Sequence, residues 1–183
     1  MRLEPIEKPR GVLLKLAYAM SRRMLGAVMS PMKVLYARVP YITRISYSLS
    51  RVVDKKVSLD RELALLVQAQ TSAQNGCGFC LDMKHALAVQ HRIGLEKFQA
   101  LAGYATSPLF DERERAALDF ASEVTRDRKV SDATFARARS HFSEAELVEL
   151  AFVNAVENFY NLMAKPFGIG SDGLCAIAVQ KAG

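Results

Sequence analysis

Apolar positions recur through most of this chain at intervals of three and four, the period of a helix with one buried face. No stretch sustains the strict alternation of a half-buried strand, so the pattern predicts an all-α fold with no sheet. Residues 11–29 alternate apolar and basic groups at helical spacing, and Pro31 marks their end. A second helix is expected over about Met32 to Val53, interrupted by Pro40. Leu63, Leu66, Val67 and Gln70 place a third from Asp60 to Gln74, where Asn75-Gly76 breaks it with a glycine suited to positive φ. A fourth runs from about Cys77 to His91, and a short one from Glu96 to Leu101 precedes a loop at 103–108. Asp111 with Glu114, and Ser143 with Glu146, have the spacing of capping boxes. They open a helix with Ala117, Leu118, Ala121 and Val124 inward and a long apolar helix over 144–164 that Pro166 ends. Ser131 or Asp132 caps a helix to about Arg139, and 171–181 forms a terminal helix. Short connections make antiparallel neighbours in a compact bundle.

Length and composition narrow the class. The 183 residues, half apolar and a quarter charged, suit one helical domain over 1–183, with 1–56 a basic helical N-terminal extension. Residues 1–56 carry twelve Lys/Arg against three Asp/Glu, whereas 57–183 carry thirteen against sixteen. No zinc-finger, helix-turn-helix or RNA-binding aromatic pattern accompanies the basic third, so no nucleic-acid partner is expected. The basic surface is expected to pack on acidic parts of its own chain or of a second subunit. No apolar run reaches a membrane span, and no membrane partner is expected. The apolar stretch 11–20 is interrupted by Lys15 and followed by Arg22 and Arg23, unlike a signal peptide. A cytoplasmic location is expected.

Chemistry concentrates in Cys77-Gly-Phe-Cys80. Three cysteines do not make a secreted disulfide framework, and a paired CxxC in a cytoplasmic chain points to redox or metal chemistry. Cys77 and Cys80 with His85 supply at most three local ligands, short of a structural zinc site, so neither metal nor other cofactor is expected. The break at Asn75-Gly76 puts Cys77 in the first turn of a helix, where free N–H groups and the helix dipole favour a thiolate. At 100° per residue, Lys84 lies about 40° from Cys80 and about 20° from Cys77. His85 lies about 140° and about 80° away. Geometry favours Lys84 as the electrostatic partner, and chemistry near neutral pH favours His85 as the proton carrier. Glu62, in the first turn of its helix, is a candidate carboxylate base. Gln68, Gln70 and Gln74 line the pocket or face solvent, and Cys175 is expected to be a buried apolar residue.

The region from Leu59 to Leu101 resembles the alkylhydroperoxidase D-like and carboxymuconolactone decarboxylase family. The resemblance is carried by Arg61-Glu62-Leu63 opening a helix, then Asn-Gly-Cys-Gly-Phe-Cys-Leu-Asp-Met from 75 to 83, then a helix to Gly94. The stretches 108–122 and 142–174, with Asn158-Phe-Tyr-Asn161 and Gly168-Ile-Gly, extend it to about two thirds of the chain. It implies a thiol-dependent antioxidant enzyme that reduces hydroperoxides or exchanges disulfides, reset by a dithiol reductant protein or carrier, and a homo-oligomer. By the resemblance Cys80 attacks and Cys77 resolves, although helix position alone would favour Cys77 as nucleophile. Lactone decarboxylation of the carboxymuconolactone type, and a non-catalytic redox-sensing module, are the alternatives. Two positions depart from the family. The histidine usual four residues after the second cysteine is Lys84 here, followed by His85. The glutamate usual twelve residues before the first cysteine is Leu65, with Glu62 fifteen before.

Overall fold

A computed structural model describes residues 1–182, which contain helices and no strand. The helices are α1 (Val12–Leu25), α2 (Pro40–Lys55), α3 (Arg61–Gln74), α4 (Gly78–Gln90) and α5 (Glu96–Ala100). They continue with α6 (Glu112–Asp127), α7 (Asp132–His141), α8 (Glu144–Ala164) and α9 (Leu174–Ala182). The expected all-α bundle is the observed one.

Local signals explain most boundaries. The Asp60 carboxylate accepts from the N–H groups of Glu62 and Leu63 at 2.9 and 3.2 Å and starts α3. Both expected capping boxes form, Asp111 with Glu114 at α6 and Ser143 with Glu146 at α8. Gly76 has φ 64°, the left-handed conformation its position after α3 requires.

The N-terminal third departs from the expected pattern. α1 stops at Leu25, because Gly26 (φ 85°) turns the chain where a Cβ would lie 2.5 Å from Ile177 on α9. The single expected helix over 32–53 is two elements: a π-helical turn at Met32–Tyr36, then α2 with Pro40 as its first residue. A proline lacks only an N–H that a first turn leaves unpaired anyway, so Pro40 opens a helix instead of interrupting one. The terminal helix begins at Leu174, three residues later than expected.

Two apolar clusters organise the packing. The larger lies among α3, α5, α6, α7 and α8, around Leu66, Val67, Leu118, Leu150 and Val153, all fully enclosed. Each such side chain stabilises the fold by about 1.5–3 kcal/mol on burial. The smaller joins α4 and α9 to the N-terminal third: Cys77, Phe79 and Cys80 share it with Leu25, Val34, Leu35, Leu174 and Ala178. The basic N-terminal segment therefore contributes Leu25, Val34 and Leu35 to the cluster that encloses the cysteines. Ser30 secures it by donating from its N–H and hydroxyl to Asp172 at 2.7 and 2.5 Å.

Candidate active site

Cys77 is the N-cap of α4, and its sulfur accepts from the N–H of Cys80 at 3.4 Å. The two cysteines are joined as a disulfide with Cα atoms 5.4 Å apart. Both are enclosed, Cys77 at 1% and Cys80 at 3% exposure. The α3–α4 turn creates this geometry: the chain turns at Gly76, and one free N–H of the first turn of α4, that of Cys80, donates to the Cys77 sulfur. Cys175 is a free, partly exposed thiol rather than a fully buried residue, and burial with nearby Asp82 pushes its pKa up.

Lys84, one turn after Cys80, is buried on the dithiol face of α4, where its ammonium meets Glu157 of α8 at 2.8 Å. Glu157 is fully enclosed. Its Oε1 accepts from the Ser72 hydroxyl at 2.7 Å and from Asn161 Nδ2 at 3.0 Å, leaving Oε2 to Lys84. Asn161 Nδ2 also donates to Ser72 Oγ at 3.2 Å. Asn75, at the end of α3, donates to the side-chain oxygens of both Asn158 and Asn161, and Lys165 donates to the Asn75 carbonyl. Further along the same seam, Asn154 Nδ2 donates to Thr71 and Thr125 at 2.8 Å each. A buried charge is tolerable only when paired and hydrogen-bonded, and this seam supplies both conditions.

His85 lies off the dithiol face. Its ring stands edge-on to Phe98 with centroids 5.7 Å apart, and its Nε2 is buried without a hydrogen-bond partner. Burial holds its pKa below the ordinary imidazole value, against the opposing charge of Asp82. Glu62 lies at the far end of α3, about 18 Å along the axis from Gln74. It pairs there with Lys97 at 3.2 Å, and Lys97 reaches Glu114 at 2.6 Å. The structure joins Cys77 to Cys80 and pairs Lys84 with Glu157, while His85 packs against Phe98 and Glu62 pairs with Lys97. Gln70 and Gln74 bond to Ser122 of α6 at 3.1 and 3.3 Å, joining α3 to α6.

The carboxylate at this site, Glu157, has a signal in the sequence. Asn154, Glu157, Asn158 and Asn161 recur at three- and four-residue spacing on the same side of α8 as Leu150 and Val153. Polar residues at buried helical positions mark a buried network rather than a solvent face. Asp82 is a second such residue. It accepts from the N–H groups of Leu174 and Cys175 at 2.8 and 2.9 Å and from Ser171 at 2.8 Å, capping α9 from another helix. Burial raises its pKa, but these donors outweigh burial and hold it below the ordinary carboxylate value.

Among the described residues no group of three or more His, Cys, Asp or Glu side chains converges to hold a metal ion. Nor is any helix among them long and apolar enough to cross a membrane.

Known proteins share part of this sequence and this fold. Residues 47–123 match the model of the carboxymuconolactone decarboxylase family. The uncharacterized protein YnjA of Escherichia coli strain K12 is 29% identical over 183 residues, covering 99% of this chain and 100% of YnjA. A protein of unknown function from Agrobacterium tumefaciens, provisionally named an antioxidant defence protein AhpD, is 26% identical with a TM-score of 0.70. The match covers 75% of this chain and 96% of that one. The debrominase Bmp8 shares the fold at a TM-score of 0.81 and 19% identity, covering 98% of this chain and 96% of its own. With its all-α architecture and its cysteine pair at the start of α4, the chain is similar to the carboxymuconolactone decarboxylase family over residues 47–123 and to alkylhydroperoxidase AhpD-like proteins in fold.

Proposed function

We propose that this protein is a thiol-dependent antioxidant oxidoreductase that reduces hydroperoxides, or exchanges disulfides, through Cys77 and Cys80. The carrying observation is the Cys77–Cys80 disulfide at the N-terminus of α4, with Lys84 on its face. A helix start favours the thiolate once the pair is reduced. The Agrobacterium relative named for antioxidant defence supports the same reading.

In the proposed cycle the Cys80 thiolate attacks the terminal oxygen of a hydroperoxide. The O–O bond breaks, the sulfur gives up two electrons, and one proton is taken up as the alcohol leaves, producing a sulfenic acid. The Cys77 thiol then displaces the sulfenic hydroxyl as water and closes the disulfide. An external dithiol reductant reopens it by exchange and leaves as its own disulfide. Cys80 is assigned the attack by the family resemblance, although helix position alone favours Cys77, and Cys77 at the N-cap then resolves.

The test is hydroperoxide consumption with a small dithiol as reductant. C80S is expected to abolish turnover while retaining the helical fold; turnover at the wild-type rate in C80S removes this reading.

A further inference from the structure

Lys84 and Glu157 form the buried ion pair at the dithiol, and nothing in the apolar packing of α4 on α8 calls for one. Burying two charges costs more than well-packed apolar residues of similar size would, so such a pair is weak evidence for stability alone. Its placement gives it a different meaning. Glu157 is anchored by Ser72 and Asn161 through one oxygen and presents the other to Lys84 at 2.8 Å. Lys84 shares a helical face with Cys80, and side chains four residues apart on a helix have Cβ atoms about 6 Å apart.

The other titratable groups around Lys84 are engaged elsewhere. On α4, Asp82 caps α9 and His85 turns to Phe98. On α8, the Tyr160 ring lies 5.9 Å from the Lys84 ammonium. Its hydroxyl donates to the Ser46 carbonyl at 2.6 Å, and burial with Tyr36 and Glu157 nearby pushes its pKa up. Tyr36, on the π-helical turn, is pushed up by burial as well. Lys165, just after α8, is turned to the Asn75 carbonyl. Cys175 of α9 is held above the ordinary thiol value, first by burial and then by Asp82.

We infer that Lys84 is a counter-ion shared between the Glu157 carboxylate and the Cys80 thiolate that exists only in the reduced protein, with Glu157 a positioning residue that holds it there. The inference rests on the dithiol reading. In the disulfide form, Glu157 and Lys84 neutralise one another. Reduction by an external dithiol consumes the Cys77–Cys80 bond, leaves a Cys77 thiol and a Cys80 thiolate, and releases one proton with the oxidised reductant. The site then holds two anions and one cation. Lys84 stabilises the thiolate, and Glu157 restrains that stabilisation by competing for the same ammonium.

This arrangement predicts opposite effects from its two members, which a merely structural pair does not produce. The measurement is the pH titration of thiolate ultraviolet absorbance in a C77S background, against a C77S/C80S blank, and it requires no turnover. K84M is expected to raise the Cys80 midpoint and E157Q to lower it, each by about one pH unit or more, the size of a close-charge effect. The K84M/E157Q double variant removes both charges and is expected to lie between the single variants. If K84M does not fold, E157Q and the double variant still differ only in Lys84, and the double must have the higher midpoint. Midpoints that do not move, or that move in the same direction in both single variants, overturn the inference. Because turnover of C80S is scored separately, loss of the peroxidase reading and loss of the shared counter-ion give different results.

Discussion

The two ends of α3 carry the same pair of residue types and make different use of them. At the N-terminal end, Glu62 and Glu114 meet Lys97, whose side chain is 27% exposed. At the C-terminal end, Glu157 meets Lys84 with both side chains enclosed and with Ser72, Asn75 and Asn161 completing the hydrogen bonds. Water screens the first pair, and the ends of its long side chains are free to separate. The second pair is fixed by its surroundings and lies one helical turn from a cysteine. A glutamate and a lysine become candidate chemistry through burial and neighbours, not through their identity.

Truncation separates the two ends most sharply. K84A leaves the Glu157 carboxylate buried without its cation and is expected to cost about 3–5 kcal/mol. K97A at the other end is expected to cost under about 1 kcal/mol. Denaturant unfolding of both variants checks the contrast, and equal losses would erase the distinction between the ends.

A smaller effect is expected at Asp82, which links the dithiol helix to α9. D82N is expected to cost about 1 kcal/mol at neutral pH, the value of a helix cap. Because the folded carboxyl titrates below the ordinary value of 3.8, its contribution is complete above that pH and is lost as pH falls through the lower folded value. The stability gap between wild type and D82N should therefore close in acid. A gap that is constant with pH would mean the cap does not depend on the charge.

The sequence makes the outline of this arrangement legible because the relevant forces are local. Asp111, Ser143 and Gly76 announce helix boundaries through bonds made within a few residues, and all three stand where the pattern puts them. Cys77 caps α4, and Cys80 and Lys84 lie on it, so periodicity suffices to place them relative to one another. Glu157 reaches Lys84 from a helix about seventy residues away. Spacing within the 62–85 segment gives no view of it, which is why Glu62, local and acidic, stands out as the candidate carboxylate. Pro40 shows the converse limit: a proline reads as a break in a continuous pattern, while the fold uses it to begin α2. His85 is legible by type, while its packing against Phe98 comes from α5 and has no signal in the 77–85 spacing.

The most direct test of the account is to follow each cysteine during oxidation. The fully reduced wild-type protein is treated with one equivalent of an alkyl hydroperoxide, and the remaining thiols are alkylated and located by mass spectrometry. The account predicts loss of the Cys77 and Cys80 thiols together into one intramolecular disulfide, with one alcohol formed per disulfide and Cys175 still free. Oxidation confined to Cys175, or a hydroperoxide left intact while Cys77 and Cys80 remain reduced, would contradict it.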